Sequence, residues 1–346
     1  MTDQRVVSLL PSATETLCAL GVEPVGVTHE CDYPPEVTDL PTVVHSRIDT
    51  DGDSAAVDDA VQAADDGVYQ LDRERLRELD PDVVVTQGIC DVCAVDETVA
   101  RETIADLGLD AEFVATHPHT LTDVFDNVER LGEVLGRSER ATQLRAELES
   151  RVAAVRETAT TAVEETGRPP VAVLDWLDPV MVAGHWVPEL VEIAGGEPVL
   201  ADVGERSGPV RFERLVAAEP SVVVCGPCGF AVPRTLADAD ALVDRDGYDD
   251  LPAAPDRTYV VDGNHYLNRP GPRLVESLEH LAAAIHPERF DPPGTALCRL
   301  DAAAGTATTV ATGEQRAVPA VDDSDSTATA VTDAESPEPS RAPESE

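Results

Sequence analysis

Two stretches of this chain are each written twice, and in the same order. ETLCALGVEPV begins at Glu15 and returns as ELVEIAGGEPV from Glu189; ERLRELDPDVVV begins at Glu74 and returns as ERLVAAEPSVVV from Glu213. Each copy reads as a helix, a loop and an apolar strand, and two matches in register mark a duplicated supersecondary unit. The Val/Leu runs are short and separated by amphipathic stretches, the pattern of parallel sheets covered by helices. The fold expected is α/β: two similar α/β lobes with parallel sheets.

Residues 121–165 lie between the copies and are charged, alanine-rich and free of proline. Thr120 and Asp123 have capping-box spacing, Gly136 is a break, and Ser138 is placed to cap a second, longer helix. Some 28 residues at 1.5 Å each make a rod of about 42 Å. A rigid helix of that length holds two lobes apart, with a ligand cleft between them. The domain limits expected are an N-terminal lobe over 1–120, a helical segment over 121–167 and a C-terminal lobe over 168–290. The Ala/Thr/Ser/Pro-rich acidic tail, 291–346, has too little apolar area to offset its chain entropy and is expected to stay disordered.

The chain carries 67 Asp and Glu against 25 basic residues, all of them arginine, for a net charge of −42. That excess repels phosphate, so nucleic acid is excluded as a partner, and an anionic membrane surface is disfavoured. Its even spread suits the surface of a halophilic protein, where the screening length falls to roughly 3 Å. No run reaches the ~20 apolar residues of a membrane span, and a monomer without membrane insertion is expected. The start, MTDQRVVSLLPS, has no charged-then-apolar leader, so a cytoplasmic location is expected, with the cell surface as the alternative if the chain begins upstream.

CGPC, Cys225 to Cys228, has the spacing of a dithiol redox motif. Such a motif needs a long helix starting at its first cysteine, and Gly229 and Pro233 interrupt one here. The same place in the first copy holds a second CxxC, Cys90 to Cys93. Both pairs fall just past the carboxyl end of a strand, where open α/β sheets present their binding loops. Four thiolates can hold zinc, but more than 130 residues separate the pairs; alternatively the thiols are small buried apolar residues.

The loops after other strands are equally unusual. Pro11 and Ser12 open a helix whose free amides can face a ligand. His29, Cys31, Asp32 and Tyr33 crowd one turn, and His29 with Cys31 could bind metal. The metal candidates are thus His29, Cys31, Cys90, Cys93, Cys225 and Cys228. His45 reads as a surface or loop-fixing residue. Trp176 and Trp186, the only tryptophans, suggest a wall for a large flat ligand, or else plain core. Asn268 and Arg269 precede a helix, with His265 and Tyr266 on the approach, and Arg273 can pair with Glu276 or Glu279. No GxGxxG, P-loop or nucleophile elbow occurs, and nothing obliges catalysis.

SLLPSATETLCALG, GVTHECDYP, PDVVVTQGICDVCAV, DWLDPVMVAGHWVPELVEIAGG, CGPCGF and NRPGPRLVESLEHLA together resemble the periplasmic-binding-protein family of cobalamin and iron-siderophore ABC importers, the cobalamin-binding branch most closely. The resemblance runs over about residues 5–290. It implies a corrinoid as bound ligand, no catalytic cofactor, little hinge motion, and an ABC transporter permease as further partner. It places ligand contacts at Pro11, Ser12, His29, Cys31, Tyr33, Gln87, Cys90, Trp176, Trp186, Phe230, Asn268 and Arg269. Ferric siderophore or haem in the same fold is one alternative. A zinc or iron–sulfur enzyme built on the two CxxC pairs is another.

Overall fold

The computed structural model of the chain describes residues 4–64, 67–89, 94–301 and 306–309. The first half runs β1 (Val6–Ser8), α1 (Pro11–Ala19), β2 (Val27–Thr28), β3 (Thr42–Ser46), α2 (Ser54–Gln62), β4 (Tyr69–Leu71), α3 (Arg73–Leu79), β5 (Val83–Gln87), α4 (Glu97–Leu107) and β6 (Glu112–Thr116). Two helices follow, α5 (Leu121–Val134) and α6 (Ser138–Thr166). The second half runs β7 (Pro170–Leu177), β8 (Val180–Val182), α7 (Val187–Ile193), β9 (Glu197–Pro198), β10 (Gly208–Pro209), α8 (Phe212–Ala217), β11 (Val222–Cys225), α9 (Val232–Ala237), α10 (Asp240–Val243), β12 (Thr258–Val261), a π-helical turn at Gly263–Leu267, α11 (Leu274–Ile285), β13 (Leu297–Asp301) and β14 (Thr306–Thr309).

The written repeat is a structural one. In the first lobe β1, β5 and β6 pair in parallel, and Gly26 bridges Val7 on the other side of β1. In the second, β9, β7, β11 and β12 pair in parallel in the same order. Val6 sits opposite Val83 in one lobe and Val171 opposite Val222 in the other, so the echoed valines occupy equivalent registers. The echo extends to backbone strain: Asp80 (φ 40°) and Glu219 (φ 47°) are both left-handed, each just before a proline that lies two residues ahead of its strand. A residue preceding proline is driven out of the right-handed helical region, and each helix has ended by that point.

The sheets are not purely parallel. β8 and β10 add antiparallel pairs on one side of the second sheet, β13 and β14 on the other, and β2, β3 and β4 form a separate sheet in which β4 runs antiparallel. β13 also corrects the expected limit of the tail, because residues 297–301 form a strand of the second sheet. Cys298 pairs with Val260, and Leu297, Cys298 and Leu300 are buried. A strand of five residues that only completes a sheet edge leaves little trace in composition.

Thr120 and Asp123 form the expected capping box. Ser138 is the first helical residue of α6; Arg137 takes the cap position and makes no side-chain bond there. α6 has 29 residues and is about 43 Å long. Its buried stripe, Ala141, Leu144, Leu148, Val152, Val155, Ala159 and Ala162, steps by three and four. It packs on α5, α7 and α11. Gly132 lets α5 approach closely, since a Cβ there would overlap the Ala141 methyl. One continuous apolar cluster results, joining Leu17, Val85 and Val128 of the first half through Leu148 to Val187 and Leu281 of the second.

Candidate functional site

The carboxyl ends of the two sets of parallel strands meet at the lobe interface, which three groups of polar contacts cross. The first is centred on Arg269, just after the π-helical turn. Its guanidinium grips Asp32, in the loop after β2, through both carboxylate oxygens (2.6 and 3.1 Å) and reaches Glu15 Oε1 of α1 at 3.1 Å. It also donates to the Glu30 carbonyl and the Asn264 side chain. Arg269 is 5% exposed and Glu15 3%. Burial pushes the Glu15 carboxyl up from its ordinary range in spite of Arg273 and Arg269. Burial acts on Asp32 in the same sense, but the bonds from His265 and Arg269 outweigh it and hold that carboxyl well below the usual range.

His265 completes this group. Its Nδ1 lies 2.8 Å from Asp262 and its Nε2 3.0 Å from Asp32. Both ring nitrogens face carboxylates and must both donate, so the ring is an imidazolium. The two bonds, first Asp262 and then Asp32, raise its pKa to about 9. A pKa raised on folding gives stability that is full below about 6.5 and fades as pH rises through about 9. Thermal midpoints measured from pH 7 to 10 should therefore decline through a step near 9. His265→Gln should remove the step, and an unaltered profile in that variant would show that the imidazolium does not tie the lobes.

The second crossing joins the loop before α2 to the second lobe. Trp176 Nε1 donates to the Ser54 carbonyl (3.2 Å), Ser54 N to Asp238 Oδ2 (3.2 Å), and Arg234 to the carbonyls of Thr50 and Gly52. The third is an imidazole pair, His119 after β6 and His185 after β8, with their Nδ1 atoms 3.3 Å apart. Beside it Leu121 N donates to Glu189 Oε2 at 2.7 Å. Burial, then the neighbouring His119, lowers the His185 pKa.

These contacts redistribute the residues singled out from sequence. Tyr33 stands open at 44% exposure, with the Arg273 guanidinium 4.0 Å from its ring centre and 4.3 Å from that of Tyr266. Arg273 thus pairs with Glu15 and two aromatic faces, not with Glu276 or Glu279; Glu279 is taken by Arg151. His29 is exposed, stacks on His45 and gives Nδ1 to the Val44 carbonyl. Cys31 is buried between the hydroxyls of Thr14 and Thr28, and burial raises its pKa. Among the described residues no group of three or more His, Cys, Asp or Glu is placed to hold a metal.

Pro11 opens α1, but Ser12 is buried and its carbonyl faces Gly271, so the first turn abuts the other lobe. Gln87 ends β5, is 5% exposed, and its Oε1 has no hydrogen-bond partner. Trp186 packs in the core with its N–H on the Leu267 carbonyl. Phe230, 1% exposed, lies beneath Arg234 and against the edge of Trp176. Asn268 gives both amide hydrogens to the Gly226 and Gly263 carbonyls and pins the π-helical turn. Arg269, expected to meet a ligand, spends its donors on the opposite lobe, because the nearby carboxylates satisfy a buried guanidinium.

Cys225 ends β11 inside the apolar core, and burial pushes its thiol up to about 12, which leaves no thiolate for exchange. Cys228 follows in a turn, with its N–H on the Asp175 carbonyl. Cys90 and Cys93 lie outside the described residues. Two features escaped the sequence reading. His119 and His185 sit past strand ends like the loops that were singled out, and the same rule would have found them. Asp175 stands at the irregularity where β7 leaves register with β8; one oxygen bonds Ser207, the other has no partner, and burial raises its pKa to about 6.

Two α/β lobes on one long helix, meeting at their strand tips, define a bilobal ligand-binding protein. The chain belongs to the periplasmic binding protein family, whose model matches residues 6–263. It is 28% identical over 82% of its length to a cobalamin-binding protein of Halobacterium salinarum, covering 69% of that protein. It is 25% identical over 83% of its length to YvrC, an uncharacterized ABC transporter substrate-binding lipoprotein of Bacillus subtilis, covering 81% of it. Among solved structures, the periplasmic heme-binding protein RhuT of Roseiflexus sp. RS-1 matches 82% of this chain and 98% of its own, with a TM-score of 0.61 and 26% identity.

The cytoplasmic expectation is corrected by the same findings. The family is periplasmic and the Bacillus relative a lipoprotein. No helix among the described residues is long and apolar enough to cross a membrane.

Proposed function

We propose that the protein is the corrinoid receptor of an ABC importer, taking a cobalamin between a first lobe of residues 1–120 and a second lobe that begins at residue 168 and includes β13, and passing it unchanged to a permease. The observation that carries this reading is the placing of Tyr33 and Tyr266 about Arg273 at one crossing of the interface and of Trp176 at another, in a chain whose halobacterial relative is a cobalamin-binding protein. Flat aromatic faces suit the macrocycle.

Titration with cyanocobalamin should shift its visible spectrum and give a micromolar or tighter dissociation constant, about −8 kcal/mol or better. An unchanged spectrum together with no calorimetric heat would sink the assignment. Haem is the second reading, favoured by the 26% identity to RhuT. Competition between haem and cyanocobalamin for one site separates the two.

A further inference from the structure

The two lobes are unequal in one place. Between the echoed strand and the echoed helix, the second lobe runs from Pro198 to Phe212 with only the two-residue β10 on the way, whereas the first runs from Thr28 to Arg73 and interposes β3, α2 and β4. α2 does not stay with its own lobe: it packs on β7 of the other. Ser54 is fully buried and Val57 is 6% exposed. The turn that launches the helix is built for this reach. Gly52 has φ 142°, and its carbonyl accepts from Arg234 at 2.8 Å; the Asp53 side chain caps Ala56 N at 2.8 Å. Arg234 in turn lies 3.7 Å over the Phe230 ring. The extra segment therefore lies against Trp176 of β7 and against Arg234, which itself covers the Phe230 ring in the loop after β11.

Only a few polar bonds hold it there: Trp176 Nε1 and Asp238 Oδ2 on the two sides of Ser54, and Arg234 on Thr50 and Gly52. The Ser54 hydroxyl is buried beside the Asp238 side chain and makes no well-aligned hydrogen bond. The seated segment thus leaves one group poorly satisfied, which a polar edge of a ligand would complete.

We propose that residues 49–63 are a strap over the ligand gap, which lifts from Trp176 and Arg234 to admit ligand and reseats with the Ser54 hydroxyl against it. The strap rests on the receptor reading above. A receptor that admits ligand only when the strap is lifted associates at a rate scaled by the lifted fraction.

Hydrogen exchange and acrylamide quenching of Trp176 test this in the full chain. Amides 49–63 should exchange faster than those of β5 and become protected when cyanocobalamin binds. The double variant Arg234→Ala/Asp238→Asn should raise quenching severalfold, a rise abolished by adding Trp176→Phe, and should quicken cyanocobalamin association about tenfold. Ser54→Ala keeps both backbone bonds, so it should weaken binding severalfold with quenching unchanged. Cyanocobalamin binding without protection of 49–63 overturns the strap and leaves the receptor intact. Fast exchange over 49–63, quickened further in the double variant, with no cyanocobalamin bound, upholds the strap and overturns the corrinoid reading. Exchange as slow as in β5, unaltered by the double variant, overturns the strap whatever binds.

Discussion

Replacing Arg269 with alanine is expected to cost about 3–5 kcal/mol of stability, the typical loss on removing one partner of a buried ion pair. Two carboxylates depend on this guanidinium, Glu15 with 2% of its side chain exposed and Asp32 on the facing loop. Arg273 still reaches Glu15 at 3.3 Å and His265 still reaches Asp32 at 3.0 Å, so the loss should fall toward the lower end of that range. In a chain of this size it should lower the thermal midpoint by about 5 °C. Lowering the pH should shrink the difference between variant and parent, because protonating Glu15 removes the stranded charge. Arg269→Lys should fall between the two, keeping the charge and losing the bidentate grip. A midpoint for the alanine variant within a degree of the parent's would mean that the Arg269 group does not secure the lobes.

Ending the chain at residue 290 is the second large effect. It removes β13, and with it Leu297, Cys298 and Leu300 at exposures of 0%, 2% and 6%. At about 1.5–3 kcal/mol for each leucine, the loss is on the order of 3–6 kcal/mol before the open edge of β12 is counted. A stripped edge also presents unpaired N–H and C=O groups, so the shortened chain should aggregate as well as melt early. A chain ending at residue 309 keeps both strands and controls for the deletion itself. If the two truncations melt alike, β13 contributes nothing to the second lobe.

What could be read from the sequence was whatever repeats locally. The helix–loop–strand echo and the proline-free stretch between the copies gave the lobes, their parallel cores and the long helix, because apolar spacing and capping residues act within a few positions of themselves. β13 was missed because its stability comes from β12, 36 positions earlier along the register from Val261 to Leu297. Arg269 was singled out, but not its partners, which lie 254 and 237 residues away in Glu15 and Asp32. An arginine before a helix looks the same whether it awaits a ligand or clamps two lobes. Trp186 and Phe230 show a related limit. An aromatic residue after a strand is a wall or a core depending on what is laid over it.

The apolar cluster that runs through α6 into both lobes has a mechanical consequence. The largest interior is shared although each half also has a smaller one, so heating should melt the molecule in one calorimetric transition, and halves expressed separately should be strongly destabilised. A body that melts as one unit also resists wide jaw-like swinging. Whatever docks on the loaded form must then sense occupancy from altered surface at the tips, not from a change in the angle between halves.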